Sequence, residues 1–462
     1  MSQQRRPREA ALHIAKPAAA RPQLNDQPMF VVLEREVELE YRPQMLEALQ
    51  RKVNAVEERT GESVPRCLEC GQIMKYHDRR TVSWLARFGK LKAKVRRYRC
   101  GRCKKSCRPL LDLLGVEPGR ISGSLARLLA LLATVAPYPL AAQLAWLLLG
   151  VKISPMGIWR VAQRLGEAAA RYNEAMSRYH SDSRSDPSPV NSAPSAVVLA
   201  VDACFLGMQV RTKRRRRKAN GELQPPLQPV EDSKFHDVKT GVILLPNERV
   251  ETSPGRRALV RRFLVSCLGD ADEIFSRLWA QLQELGWPGV NTVVVIVGDG
   301  AEWIWNRASM FGRRCEILDF WHAMEHAWSF ARLAYGEGSV KADQWVHRLA
   351  EDLRGGKVQD VIARLKRMRP TSPEVRESLD ALIRYYSDNA SRMRYDEYLR
   401  LGYGIGSGAV ESAHKQVIHA RFRQAGMRWS EAGARRLLAL RLLLLNNNWA
   451  LLDQLRMVSL AA

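Results

Sequence analysis

Three acidic residues and two cysteine pairs are placed where they could do chemistry. Asp202 ends the apolar run VVLAV, Asp299 ends TVVVIVG, and Glu411 lies in GIGSGAVESAHKQVIHAR near the start of an expected helix. Each has an ordinary explanation alone. Asp202 reads as a loop acid, Asp299-Gly300 as a turn, and Glu411 as the ion-pair partner of Lys415 one helical turn on. Together they fit one requirement. Hydrolysis or transfer at a phosphodiester is assisted by two divalent ions about 3.5–4 Å apart. Such hard ions, Mg²⁺ or Mn²⁺, take oxygen ligands. Two Asp at the ends of neighbouring strands and a Glu from an adjacent helix can supply them. Asp202, Asp299 and Glu411 are therefore candidates both for catalysis and for holding metal.

Cys67-x-x-Cys70 and Cys100-x-x-Cys103 form two knuckles with a hairpin between them. Paired thiolates brought together by intervening structure make a tetrahedral Zn²⁺ site, and four thiolates leave no open position, so this zinc is expected to be structural. Cys107 is a surplus thiol beside them. Cys204, Cys267 and Cys315 are isolated and read as small core residues.

The elements that must position these groups follow from periodicity and punctuation. Residues 1–63 read as a basic arm followed by a helix over 35–59. Residues 64–110 read as a zinc ribbon, in which Val82, Trp84, Ala86 and Phe88 alternate with polar neighbours and Gly89-Lys90 turns the chain into Leu91, Ala93 and Val95. Residues 111–180 read as a helical DNA-binding region, helical from 122 to 180, with Ser154 as an N-cap after the Gly150 break. Residues 181–195, SDSRSDPSPVNSAPS, are a linker by composition. Strands and helices then alternate from 196 to 330, and the chain continues as helix through 331–400 and 401–462. Strands with helices around a mixed sheet indicate an α/β fold.

The partner is legible in the charge. The 462 residues carry 73 Lys+Arg against 48 Asp+Glu, a net +25, which points to a polyanion. The paired helical segments 139–149 and 155–165 have the size of a helix-turn-helix, and Lys152, Arg160 and Arg164 are its candidate DNA contacts. A plain helical hairpin is the competing reading. Lys213, Arg214, Arg215, Arg216, Arg217 and Lys218 form six consecutive cations just after the Asp202 strand, placed to meet phosphates. The alternate glycines 402, 404, 406 and 408 match no phosphate-binding fingerprint, so no nucleotide cofactor is expected. Eight Cys are too few for a disulfide scaffold in this length, and no signal peptide or clean membrane span is legible. A cytoplasmic protein is expected.

The blocks VLAVDAC, VVIVGDGAEWIWNRA, ILDFWHAMEHAW, YGIGSGAVESAHKQV and GMRWSEAGARRLLALR occur in that order between about residues 196 and 449. In that combination the chain resembles bacterial insertion-sequence transposases of the ISKra group, on the Mutator-like branch of the DDE superfamily. The resemblance implies an RNase-H-like catalytic core over 196–330 and 401–462, interrupted by a helical insertion over 331–400. It implies Asp202, Asp299 and Glu411 as the catalytic triad, two Mg²⁺ or Mn²⁺ ions, and supporting roles for Asp319 and His322 in the motif Asp319-x-x-His322. It implies cleavage of double-stranded DNA at element ends and joining to target DNA, by an assembly at least dimeric on DNA in the bacterial nucleoid. Many relatives are expected to have Gly after the first Asp; here it is Ala203.

Two other classes compete. His322-Ala-Met-Glu-His326 matches the H-x-x-E-H pattern of a zinc metallopeptidase, but that reading leaves the charge, the ribbon and the strand-end acids unexplained. A non-catalytic zinc-ribbon DNA-binding regulator, or an inactive transposase, would account for the ribbon and helices but not for three acids standing in place.

Overall fold

The computed structural model describes residues 28–60, 64–117, 120–182, 193–209, 235–253, 256–370 and 372–455. The six cations 213–218 and most of the linker lie outside them. The chain divides into two compact units, Met1–Leu113 and Leu114–Ala462.

In the first unit, helix α1 (Met29–Thr60) precedes strands β1 (Lys75–Ala86) and β2 (Gly89–Arg99), a short β3 (Ser106–Cys107) and helix α2 (Pro109–Leu113). The hairpin runs antiparallel from Lys75↔Arg99 to Ala86↔Gly89, so its turn is Arg87-Phe88, two residues ahead of the expected Gly89-Lys90. Alternation works as the sequence predicts: Val82, Trp84, Ala86, Leu91, Ala93 and Val95 are buried, while Lys90, Lys92 and Lys94 are exposed. Side chains of α1 satisfy the β2 edge. Gln50 Oε1 accepts the Lys92 amide and the buried Glu57 Oε1 accepts the Arg96 amide, each at 3.1 Å. Helical cover of this kind satisfies backbone groups that an open edge would leave unpaired.

The second unit begins with the small hairpin β4 (Val116–Glu117) and β5 (Ile121–Ser122), then helices α3 (Gly123–Val135), α4 (Tyr138–Leu149) and α5 (Pro155–Asp182). Gly150 adopts the left-handed conformation that ends α4, and Ser154 Oγ accepts the Gly157 amide at 3.1 Å to begin α5. Next come β6 (Ala196–Gly207), β7 (Phe235–Leu244), a side hairpin β8 (Arg249–Ser253) and β9 (Arg256–Leu259), and β10 (Arg262–Cys267). Helix α6 (Ala271–Glu284), β11 (Val293–Gly298), α7 (Glu302–Ala308), β12 (Arg314–Leu318) and α8 (Phe320–Tyr335) follow. A helical stretch comprises α9 (Val340–Arg354), α10 (Val358–Arg367), α11 (Pro373–Asn389) and α12 (Tyr395–Arg400). Then come α13 (Gly408–His414), a π turn (Lys415–His419), α14 (Ala420–Phe422) and α15 (Glu431–Leu445), and residues 451–455 are again helical.

One mixed sheet organises this unit, in the order β10-β7-β6-β11-β12. β7 is antiparallel to β6 and to β10, whereas β11 is parallel to both β6 and β12. The first six residues of β6 are fully buried, as expected of a central strand covered on both faces. Gly241, opposite Val201, shows which helix covers one face: a Cβ there would lie 2.7 Å from Leu278 of α6. Adjacent residues of a strand point to opposite faces, so Asp202 points away from α6. α13 packs on β6 and β7. α3 and α5 pack with α15, and α5 also with α6, inside this same unit.

Candidate functional site

β6 and β11 are parallel neighbours paired from Ala196↔Val293 to Ala200↔Val297. The offset is 293 − 196 = 97 residues, and carried two residues further it sets Asp299 level with Asp202. Neighbouring strands lie about 4.8 Å apart, so the two acids that end these apolar runs are side by side. Each makes a local bond to a following amide: Asp202 Oδ1 accepts from Ala203 at 2.6 Å, and Asp299 Oδ1 accepts from Ala301 at 3.0 Å. Glu411 comes from α13 and is solvent-exposed.

The electrostatics tie the three together. Burial pushes the Asp202 carboxyl up to about 6; the Ala203 amide opposes that rise, and the charges of Asp299 and Glu411 add to it. His322 acts on Asp202 in the opposite sense. A buried carboxyl whose proton affinity is raised by neighbouring acids is a donor that a divalent cation would relieve. The oxygens of the three acids do not, however, converge as a tight ligand group. Among the described residues, only the four cysteines bring three or more ligand atoms within 4.8 Å of one another.

Two residues that periodicity did not single out complete the surroundings. His414 lies one turn after Glu411 on α13, almost wholly buried, with Nδ1 3.5 Å from Asp202 Oδ2. Burial lowers its imidazole to about 4, so it is neutral. Spacing of i and i+3 on a helix was the available signal. Ser407 is bound to Asp319. That carboxylate is 2% exposed and caps α8, Oδ1 accepting the Trp321 amide at 2.7 Å and the His322 amide at 3.3 Å. Its Oδ2 accepts the Ser407 amide at 2.9 Å and also the Ser407 hydroxyl. Asp319 thus ties the start of α8, which carries His322, to the residue preceding α13, which carries Glu411.

The π turn after α13 is held by a buried guanidinium. Arg441 of α15 donates from Nε to the carbonyls of Gln416 at 3.0 Å and Val417 at 2.9 Å. A π turn leaves carbonyls without their usual helical donors, and Arg441 supplies them.

Among the described residues, no third ligand stands with His322 and His326 to complete a zinc site. Their rings meet edge to face at 5.3 Å, and His326 lies flat against Tyr385 at 4.0 Å. His322 Nδ1 is 3.4 Å from Glu325 Oε2.

In the first unit, Cys67, Cys70, Cys100 and Cys103 form the four-ligand group, with Sγ of Cys70 and Cys100 3.5 Å apart. Zn–S bonds of 2.3 Å in a tetrahedron separate sulfurs by about 3.8 Å, so this cluster fits a metal such as zinc. The Cys103 amide, followed by other donors, lowers the Cys100 thiol to about 7, whereas the Cys103 thiol is raised by its contact with Cys70. Cys107 packs against the group through Met74, Sγ to Sδ 3.4 Å, rather than joining it.

The candidate DNA contacts are distributed. Lys152 is exposed with its ammonium 4.8 Å over the Trp146 ring, Arg160 is exposed, and Arg164 is half-buried. No helix among the described residues is long and apolar enough to cross a membrane. No family model matches the chain, and no curated protein is significantly similar to it in sequence.

Proposed function

We propose that this chain is a DDE-type DNA transposase with an RNase-H-like core, cleaving phosphodiesters at the ends of a mobile element and joining them to target DNA. One observation carries the reading: the β6–β11 register sets Asp202 and Asp299 level on adjacent parallel strands, and α13, which carries Glu411, packs on β6. A single mixed five-stranded sheet followed by helices is the framework that the RNase-H-like reading requires.

Asp202, Asp299 and Glu411 are the residues that would hold two Mg²⁺ or Mn²⁺ ions. Bound there, the ions would supply activation of an attacking oxygen and stabilisation of the leaving one. The protein's part is to hold the carboxylates in place. Asp319 does so by joining α8 to the Glu411 helix, and Arg441 by fixing the π turn behind it. The exposure of Glu411 suits a polymer laid across a surface. The Cys₄ group, the exposed lysines of β2 and the α4–α5 pair provide DNA-binding surface, consistent with the +25 charge.

The metallopeptidase alternative loses support because His326 is stacked on Tyr385. Incubating the protein with DNA carrying the inverted repeats that flank its gene, with and without Mn²⁺, tests the proposal. Strand cleavage at the repeats only with the ion is expected. Cleavage of casein, with the DNA left intact, would overturn it.

A further inference from the structure

We infer that Tyr385 of α11, with His326 of α8 stacked on it, is a positioning residue for Asp299. On this view the helical segment separating the second acid from the third builds the site rather than merely interrupting it. The inference rests on the reading of Asp299 as a metal-holding carboxylate.

Asp299 needs outside support because β11 ends at Gly298. Its carbonyl lies beyond the strand ladder, so the sheet alone does not set its orientation. Tyr385 Oη donates to that carbonyl at 2.8 Å from 86 residues along the chain. The next residue is fitted to the same ring. Gly300 has φ of +99°, and a Cβ there would stand 3.1 Å from Leu318 and from both Cε2 and Oη of Tyr385. The turn can therefore approach the phenol only with glycine at 300. On its other side Asp299 is held by the bond from the Ala301 amide to its Oδ1. Backbone and carboxylate are fixed by separate partners.

The phenol is itself held. His326 covers the ring at 4.0 Å with planes 25° apart, and the neighbouring Tyr386 donates to the Ala323 carbonyl at 2.9 Å. Two consecutive tyrosines thus pin α11, one to the catalytic turn and one to α8. The second half of H-x-x-E-H gains a role in this arrangement: His326 is a flat lid on the positioning tyrosine. Residues that orient a metal ligand change metal affinity or activity by about 10–100-fold when removed.

The test uses full-length, zinc-loaded protein. Mn²⁺ binding is followed by electron paramagnetic resonance, with Asp299→Asn as the blank, and DNA cleavage is measured in parallel. Tyr385→Phe keeps the ring and its stack but removes the hydroxyl. It should weaken Asp299-dependent Mn²⁺ binding about tenfold and lower kcat, with KM for DNA and the melting temperature close to the parent's. His326→Ala uncovers the phenol and should weaken Mn²⁺ binding in the same direction, while His326→Phe, which keeps a flat ring, should restore it; equal loss in both variants would overturn the stacking role of His326. Mn²⁺ binding and turnover by Tyr385→Phe equal to the parent's would overturn the inference and leave the transposase reading intact. A parent that binds Mn²⁺ through Asp299 yet never cuts DNA would remove the transposase reading, and the Mn²⁺ affinities would still decide the role of Tyr385. A parent with no Asp299-dependent Mn²⁺ binding would overturn both.

Discussion

Asp202 is ionised at a cost that only its surroundings explain. Its carboxyl is raised from 3.8 to about 6, first by burial and then by the acids beside it. The native state therefore holds this proton more tightly than the unfolded chain does. Between pH 4 and 6 its contribution makes stability fall as pH rises, and above 6 the full penalty is present. Asp202→Asn removes that penalty. In buffer without Mg²⁺ or Mn²⁺ the variant should melt about 2 °C or more above the parent at pH 7.5, and the gap should close towards pH 4. An equal gap at both pH values would show that burial of this charge is not its source. Asp319 is a contrasting case, since its carboxylate accepts from two amides of α8 and from Ser407. Asp319→Ala leaves those donors unpaired and should cost roughly 3 kcal/mol, seen as a lower unfolding midpoint in urea. An unchanged midpoint would mean that the link between α8 and the Glu411 helix adds nothing to stability.

At the scale of elements, the ribbon depends on its thiols. Elemental analysis should find one zinc per chain, and Cys67→Ser or Cys100→Ser should unfold residues 64–108 while the sheet of the second unit persists. Zinc-free protein whose cysteine variants are as stable as the parent would refute this. The packing of α6 on the sheet is testable too: Gly241→Ala drives a methyl to within 2.7 Å of Leu278 and should destabilise by about 1–3 kcal/mol. Much of this architecture is legible in the sequence. Unbroken apolar runs ending in Asp announce β11 and the first half of β6, and CxxC spacing announces the cysteine cluster. β6 nevertheless continues past Asp202 to Gly207 along β7, so that only Asp299 stands at a strand end. Other features are hidden for physical reasons. The hairpin turns at Arg87-Phe88 because strand pairing, not the nearby glycine, sets the register. The β8–β9 hairpin lies in polar, arginine-rich sequence with no alternation to reveal it. α1 begins at Met29, ahead of the expected residue 35, in a stretch whose apolar side chains are exposed and so show no burial period. The reach of Tyr385 to Asp299 spans 86 residues, and no local pattern records such a pairing.

For the whole molecule, a charge of +25 predicts DNA binding that weakens steeply with salt, as neutralised phosphates release their counterions. Replacing Arg214, Arg215, Arg216 and Arg217 by Ala should flatten the slope of log K against log salt by about 0.9 for each phosphate that is no longer neutralised. An unchanged slope would place that segment away from DNA. Recognition of particular ends should instead reside in residues 64–180 and survive the change.

The proposed transposase depends on one metal-holding set, Asp202, Asp299 and Glu411. Its most direct test is cleavage of a supercoiled plasmid bearing the element's two ends, in Mn²⁺, by Asp202→Asn, Asp299→Asn and Glu411→Gln proteins. These changes remove a charge while hardly altering side-chain volume, so each variant should bind the ends as the parent does and none should cut. Full cleavage by Asp299→Asn protein would contradict the account.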